Sequence, residues 1–232
     1  MIENKNYSVS IILPILNEIN SLKKTLEIIN LNNIEKEFIV VFSKKLTNPH
    51  VVEELENLKN NYKNFKLFSQ IKPYVGGAID LGIQKSSKNY IVIMASDLET
   101  NPYELKEMIN LSFKNPNSII SADRWISEKG FLDYGTIKFL ANYIFQKLIK
   151  IFFRYKILDF TFAYRLYPKD ALKGYEIKEL RHGFALEILL DPMKKGYNVI
   201  TFPAKWNKRV EGHSSITIKS YLSYLKVLWR KL

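Results

Sequence analysis

Residues 90–102, Tyr90-Ile-Val-Ile-Met-Ala-Ser-Asp97-Leu-Glu99-Thr-Asn-Pro102, hold the pattern on which the fold turns. The apolar run Tyr90 to Met94 is too short for a helix and rich in β-branched residues, so it reads as a buried strand. It breaks into a polar loop with two carboxylates. Asn101-Pro102 then opens a helix whose inner face is Leu105, Met108 and Ile109. The same grammar extends in both directions. Upstream, Gly76-Gly77 opens a helix running through Leu81, and Phe65 to Phe68 is a weaker strand. Asn48-Pro49 starts a helix with Val51, Val52, Leu55 and Leu58 on one face, preceded by a strand from Phe38 to Phe42. Leu22, Leu26 and Ile29 lie at helical spacing between Ile19 and Leu31, and Val9 to Leu13 is a strand that Pro14 is expected to stop. Downstream, Ser118 to Ala122 is a further strand. Such β-α-β alternation predicts an α/β domain with a mostly parallel sheet flanked by helices. Ligands of such sheets bind beyond the carboxyl ends of the strands.

The second half is less regular. A helix is expected from about Tyr134 to Tyr155, another from Ala185 to Lys195, a strand from Asn198 to Ala204 and a terminal helix from Ile216 to Trp229. In the first of these, Lys138, Asn142, Gln146, Lys150 and Arg154 form one polar stripe, and the other faces are apolar or aromatic. A basic stripe beside a broad apolar face suits a lipid headgroup boundary. A buried core helix or a dimer interface is the competing reading. The terminal helix has the same character.

With no cysteines, disulfides, thiolate metal sites and a cysteine nucleophile are excluded. With three histidines, His50, His182 and His213, no multi-histidine zinc site is expected, so a metal would need oxygen ligands. The net charge of +12 favours anionic partners. The basic residues are dispersed and form no nucleic-acid motif, so no nucleic-acid partner is expected. The polar start is no secretory signal and no apolar run is long enough to span a membrane, which predicts a cytoplasmic protein.

Four groups of residues can carry chemistry. Asp97 and Glu99, two apart in an extended loop, can turn both carboxylates one way and hold Mg²⁺ or Mn²⁺, although a solvated turn has the same composition. In Pro14-Ile-Leu16-Asn17-Glu18, Asn17 can cap the next helix and Glu18 can accept from a base or ribose; a plain capped turn is the alternative. Gly76-Gly77-Ala78 lets the backbone approach a phosphate or a neighbouring strand, and tight packing is the alternative. Arg124, Arg165 and Arg209 follow strands, and on one rim they would suit a diphosphate or lipid phosphate; singly, each can be an ordinary ion pair.

In this order the pieces resemble family 2 glycosyltransferases of GT-A fold, nearest the dolichyl- or polyprenyl-phosphate sugar synthase type. The matching stretches are Val9-Ser-Ile-Ile-Leu-Pro-Ile-Leu-Asn-Glu18, Gly76-Gly-Ala-Ile-Asp-Leu-Gly82, residues 90–102, Ser121-Ala-Asp-Arg124-Trp, Asp159-Phe-Thr-Phe-Ala-Tyr-Arg165, Gly183-Phe-Ala-Leu-Glu187 and Arg209-x-x-Gly212-x-Ser214, over about residues 7–216. The resemblance implies one Rossmann-like GT-A domain over residues 1–232, with a mixed, mostly parallel sheet and amphipathic helices in the C-terminal half. Residues 1–125 would bind the nucleotide-sugar and 126–232 the acceptor. It implies an inverting, metal-dependent transfer from a nucleotide-diphosphate sugar to a polyprenyl-phosphate or glycan acceptor at the inner face of the membrane. Pro14, Leu16, Asn17, Glu18, Ser43, Gly76, Gly77 and Asp97 would bind the donor. Asp97 and Glu99 would hold Mg²⁺ or Mn²⁺. Arg124, Arg165, Arg209, His213 and Ser214 would bind acceptor or phosphate. Asp97, Arg124, Arg165 and Arg209 would act in catalysis, with Glu187 as the base if the acceptor is a hydroxyl. The chain departs from the family pattern at Ala95, where a first metal-loop Asp is usual, and at Phe42-Ser43, where two nucleotide-contacting aspartates are usual. Those losses motivate an alternative: a catalytically degenerate, glycosyltransferase-like binding protein.

Overall fold

The computed structural model describes residues 7–31, 33–131, 134–153, 157–212 and 218–232. Its elements are β1 (Ser8–Ile15), α1 (Ile19–Asn30), β2 (Glu35–Phe42), α2 (Pro49–Asn61), β3 (Phe65–Ser69), α3 (Tyr74–Lys85), β4 (Tyr90–Ile93), α4 (Leu105–Lys114), β5 (Ser118–Asp123), α5 (Thr136–Phe153), β6 (Arg165–Pro168), α6 (Phe184–Lys194), β7 (Asn198–Pro203) and α7 (Ile218–Lys231). Short 3₁₀ turns precede α4 and follow β6. The strands form one seven-stranded sheet in the order β3-β2-β1-β4-β6-β5-β7. All pairings are parallel except those of β6, which runs antiparallel to both β4 and β5. The expected mixed, mostly parallel α/β sheet is therefore present.

Strand periodicity sorts the core into two layers. Phe38, Val40 and Phe42 of β2 face α1, α2 and α4, meeting Leu22, Leu26, Leu55 and Met108. Ile39 and Val41 of the same strand face the opposite way, toward Ile79, Ile83, Leu186 and Leu189 of α3 and α6. Burial on both faces explains why these strands read as unbroken apolar runs.

Three expectations need correction. Pro14 does not end β1, which continues to Ile15. The last β1–β4 pair is Ile12–Ile93, whereas β1 stays paired with β2 as far as Ile15–Phe42. The Ile12 carbonyl accepts from Met94 N on the β4 side, and the Pro14 carbonyl, two residues on, accepts from Ser96 Oγ at 2.6 Å. Pro14 thus turns its missing N–H toward a side where the ladder has already stopped. Second, β6 lies in a stretch that reads as irregular. It has four residues, all buried, and begins with an arginine. Third, α5 is turned the opposite way from an ordinary surface helix: Asn142 and Gln146 of the polar stripe are buried, while much of its apolar surface faces outward. Arg154 and Tyr155 lie outside the described residues.

Gly76 and Gly77 serve the α3 contact with the chain. A Cβ on Gly76 would stand 2.6 Å from the Leu180 carbonyl oxygen, and on Gly77 2.3 Å from that of Lys72. Gly76 N also donates to the Leu180 carbonyl at 2.8 Å. The expected phosphate contact gives way to close backbone packing, since neither glycine lines the cleft described below. Gly76→Ala is expected to destabilise the protein by about 1–3 kcal/mol, because a backbone carbonyl cannot swing aside; urea denaturation measures it.

Candidate active site

Where β1 and β4 part, a cleft of about 1290 Å³ opens beyond the carboxyl ends of the parallel strands. Pro14, Leu16, Glu18 and Ser43 line it from the ends of β1 and β2, and Asp97 and Glu99 from the loop after β4. The far wall includes Tyr134, His182 and Arg209.

The acidic loop has a backbone reason for its shape. Leu98, between the two carboxylates, has φ +64°, the left-handed region that a leucine enters only when its surroundings hold it there. Asp97 Oδ1 accepts from Glu99 N at 3.0 Å, closing the turn. Both carboxylates then meet one guanidinium. Arg209 Nη2 lies 3.2 Å from Asp97 Oδ2 and 2.8 Å from Glu99 Oε1, and its Nε donates to Glu99 Oε1 at 2.8 Å. The segment bearing Arg209 is fastened on both sides. Asn207 N donates to the Glu99 carbonyl, Thr100 bridges Trp206, and the Glu211 carboxylate accepts from Ser21 N at 2.9 Å in the first turn of α1. Burial, and next the like charge of Glu99, push the Asp97 carboxyl up to about 6 despite Arg209; Glu18 adds to the repulsion.

Glu18 turns back on its own loop and accepts from Leu16 N and Asn17 N, each at 2.8 Å. Asn17 does not cap α1. Its Oδ1 accepts from Asn48 N at 2.8 Å, tying the β1–α1 turn to the start of α2.

Other predicted residues are placed elsewhere. Arg165 is fully buried and donates to Ser121 Oγ, the Ala185 carbonyl and the Phe160 carbonyl, so it is a scaffold residue and not a phosphate ligand. Glu187 is buried away from the cleft. Its carboxylate accepts from Lys178 N, Glu179 N and Tyr175 Oη and pairs with Arg230 at 2.7 Å, which corrects its expected role as a base. Arg124 reaches the cleft wall but wraps its fork around Asp159, with Nε to Oδ2 at 2.7 Å and Nη2 to Oδ1 at 3.0 Å. Phe131, Tyr134 and Phe162 surround its guanidinium. Its second Nη2 hydrogen goes to Thr161 Oγ1 at 3.0 Å, so a bidentate grip on a phosphate through Nη1 and Nη2 would require it to release Thr161. His213 and Ser214 lie outside the described residues. Of the predicted set, Asp97, Glu99, Arg209 and Glu18 come together, and Pro14, Leu16 and Ser43 border the same space.

Sequence reading missed Tyr74, Arg181 and His182, which also line the cleft. Tyr74 has φ +61°, and Arg181 stacks 3.8 Å over its ring while donating to its hydroxyl at 2.5 Å. Burial, with help from Arg209 and Arg181, lowers the His182 pKa to about 4. The only signal for the latter two was their position just before the quoted Gly183-Phe-Ala-Leu-Glu187 stretch.

Among solved structures, the chain is similar to glucosyl-3-phosphoglycerate synthase from Mycobacterium tuberculosis in complex with Mn²⁺, uridine-diphosphate and phosphoglyceric acid, with TM-score 0.72 and 12% identity over 98% of this chain and 79% of that one. The same protein with uridine-diphosphate alone gives TM-score 0.70 and 14% identity, covering 98% and 80%. A mycobacterial protein described only as such gives TM-score 0.71 and 14% identity, covering 98% and 75%. At these identities the likeness establishes the fold. The family described as "Glycosyl transferase family 2" matches residues 10–175, from β1 through β6, and therefore includes the acidic loop and the strand fork that make the cleft. The resemblance read from the motifs is borne out at this level: the chain belongs to glycosyl transferase family 2.

Proposed function

We propose that this protein moves a sugar, with inversion, from a nucleotide-diphosphate donor to a polyprenyl-phosphate acceptor, using Mg²⁺ or Mn²⁺ held on Asp97 and Glu99. The observation that supports this most is the convergence of the two carboxylates and Arg209 at the sheet rim. The donor set suits a hard cation: oxygen atoms two residues apart, with a carboxyl raised to about 6 by burial and by the like charge of Glu99, which one Arg209 only partly offsets. Among the described residues no three acidic or histidine side chains are placed to hold one metal ion together, so further ligands would come from the donor diphosphate. When bound, the ion would offset the charge that grows on the departing diphosphate. Arg209 offers a second positive group to the same oxygens, and Glu18 and Ser43, which line the same cleft, are assigned to the nucleoside. The Mycobacterium tuberculosis enzyme of similar fold, captured with Mn²⁺, uridine-diphosphate and phosphoglyceric acid, supports a uridine nucleotide and an acceptor that carries phosphate.

The choice of a phosphate acceptor over a glycan hydroxyl rests on the missing base. A hydroxyl must lose its proton during attack, whereas a phosphate monoester arrives as an anion. The carboxylates among the described lining residues are Glu18, Asp97 and Glu99. The first accepts from backbone N–H groups, and the other two face Arg209 and would hold the cation. His182, with a pKa near 4, is a poor proton acceptor. Ile144, Leu148 and Leu225 line the outer cleft and suit an isoprenoid chain.

One observation favours the degenerate, non-catalytic reading: Arg209 already sits on both carboxylates. Manganese binding separates the two. Loss of the free Mn²⁺ electron-paramagnetic signal on adding protein and a nucleoside diphosphate is expected. Affinity should fall as pH drops through about 6, because protonated Asp97 gives up its ligand oxygen. No binding at any pH rejects the metal site. Turnover of a panel of nucleotide-diphosphate sugars with detergent-solubilised polyprenyl phosphate tests the acceptor.

A further inference from the structure

We propose that the outward faces of α5 and α7 form one surface that docks on an anionic lipid bilayer and turns the cleft mouth toward it. Among the described residues no helix is long and apolar enough to cross a membrane. The two helices meet where Phe145 and Tyr224 are in ring contact at 5.3 Å, and residues of both line the cleft. Helix α5 presents polarity inward: Gln146 bonds Asn142, Asp159 and Thr161 beneath it. Outward it presents Ile137 at 87% exposure, Leu140 at 57% and Ile151 at 70%, and α7 presents Leu222 at 55% and Trp229 at 83%. Chance exposure of single apolar residues is ordinary, but two adjacent helices carrying them together mark an interaction surface.

Charge selects the occupant. Residues 134–153 and 218–232 contain no Asp or Glu. Of their cations, Lys226, Arg230 and Lys231 pair with Glu179, Glu187 and Asp191 of neighbouring segments, Lys138 and Lys150 belong to the inward stripe, and Lys147 and Lys219 add exposed charge, so the surface keeps a positive excess. A second copy laid on this face would bring like charges together. Anionic headgroups would complement them, with the lysine stems lying along apolar surface and their ammonium groups reaching outward. Ile144, Leu148, Tyr221 and Leu225 belong to this surface and also line the cleft, so apolar contact runs unbroken from the face into the site. The docking surface stands independently of turnover; only its use for delivering a lipid acceptor rests on the function proposed above.

Co-sedimentation of the whole chain with vesicles tests it. Binding to phosphatidylcholine vesicles containing phosphatidylglycerol is expected to be at least about tenfold stronger than to phosphatidylcholine alone, and to weaken with salt. Ile151→Glu combined with Trp229→Glu should lower it by about tenfold or more. Neither residue lines the cleft, and both are exposed enough that melting temperature should not change. Transfer to detergent-solubilised acceptor should also survive the double change. Its absence in the wild type would reject the acceptor and leave vesicle binding standing. Equal vesicle binding by wild type and variant, or none by the wild type, overturns the proposal. So does a dimer in sedimentation equilibrium that Ile151→Glu dissolves.

Discussion

Asp159→Asn is expected to destabilise the protein by about 3–5 kcal/mol, the usual cost of leaving one member of a buried ion pair without its partner. Asp159 and Arg124 are both buried. Burial alone would raise the Asp159 pKa, but Arg124, by charge and by hydrogen bonds, holds it below the ordinary carboxylate range. The carboxylate also accepts from Thr161 N at 3.2 Å and Phe162 N at 3.1 Å, so it organises the turn that leads into β6 as well as neutralising the arginine. An amide keeps the shape but loses the charge and presents N–H where those donors point. Arg124→Met should cost less, because Asp159 keeps the nearby charge of Arg165 and its backbone donors. Denaturant unfolding of both variants checks the order; a larger loss for Arg124→Met would contradict this account.

Asp97→Asn is expected to lower kcat by about 10²–10³-fold, comparable to removing one well-placed electrostatic group from an active site. The expectation follows from its position rather than from acidity alone. Asp97 is the more buried carboxylate of the pair and closes the turn by accepting from Glu99 N. Asparagine can keep that hydrogen bond, so the loop should hold its shape while the charge disappears. Unchanged melting temperature together with lost Mn²⁺ binding is the expected signature. Full turnover in the variant would remove Asp97 from the chemistry.

The sheet was legible because strands buried on both faces leave apolar runs that nothing else in a domain of this size resembles. The acidic pair was legible because it directly follows the clearest of those runs. β6 was not, since four residues beginning with Arg165 carry no period and too much charge to suggest burial. The orientation of α5 was also hidden. Spacing located the stripe containing Asn142 and Gln146, but only the presence of Asp159 and Thr161 beneath it decides that the stripe faces inward. Arg165 and Glu187 misled for a related reason: a charged residue in a motif looks the same whether it meets ligand or is consumed by partners inside the protein. Arg165 is consumed by Ser121 Oγ and backbone carbonyls, Glu187 by backbone N–H groups and Arg230.

The early end of the β1–β4 ladder has a consequence for how this architecture can change. Because the two strands unzip after Ile12–Ile93 while β1 and β2 remain zipped to Ile15–Phe42, the depth of the recess is counted in rungs. Lengthening β4 would require Pro14 to give way to a residue with an N–H, and the recess would then become shallower by whole steps. A single imino acid thus denies the zipper its next rung, and the size of molecule the protein can admit is written partly into the backbone and not only into the side chains around it.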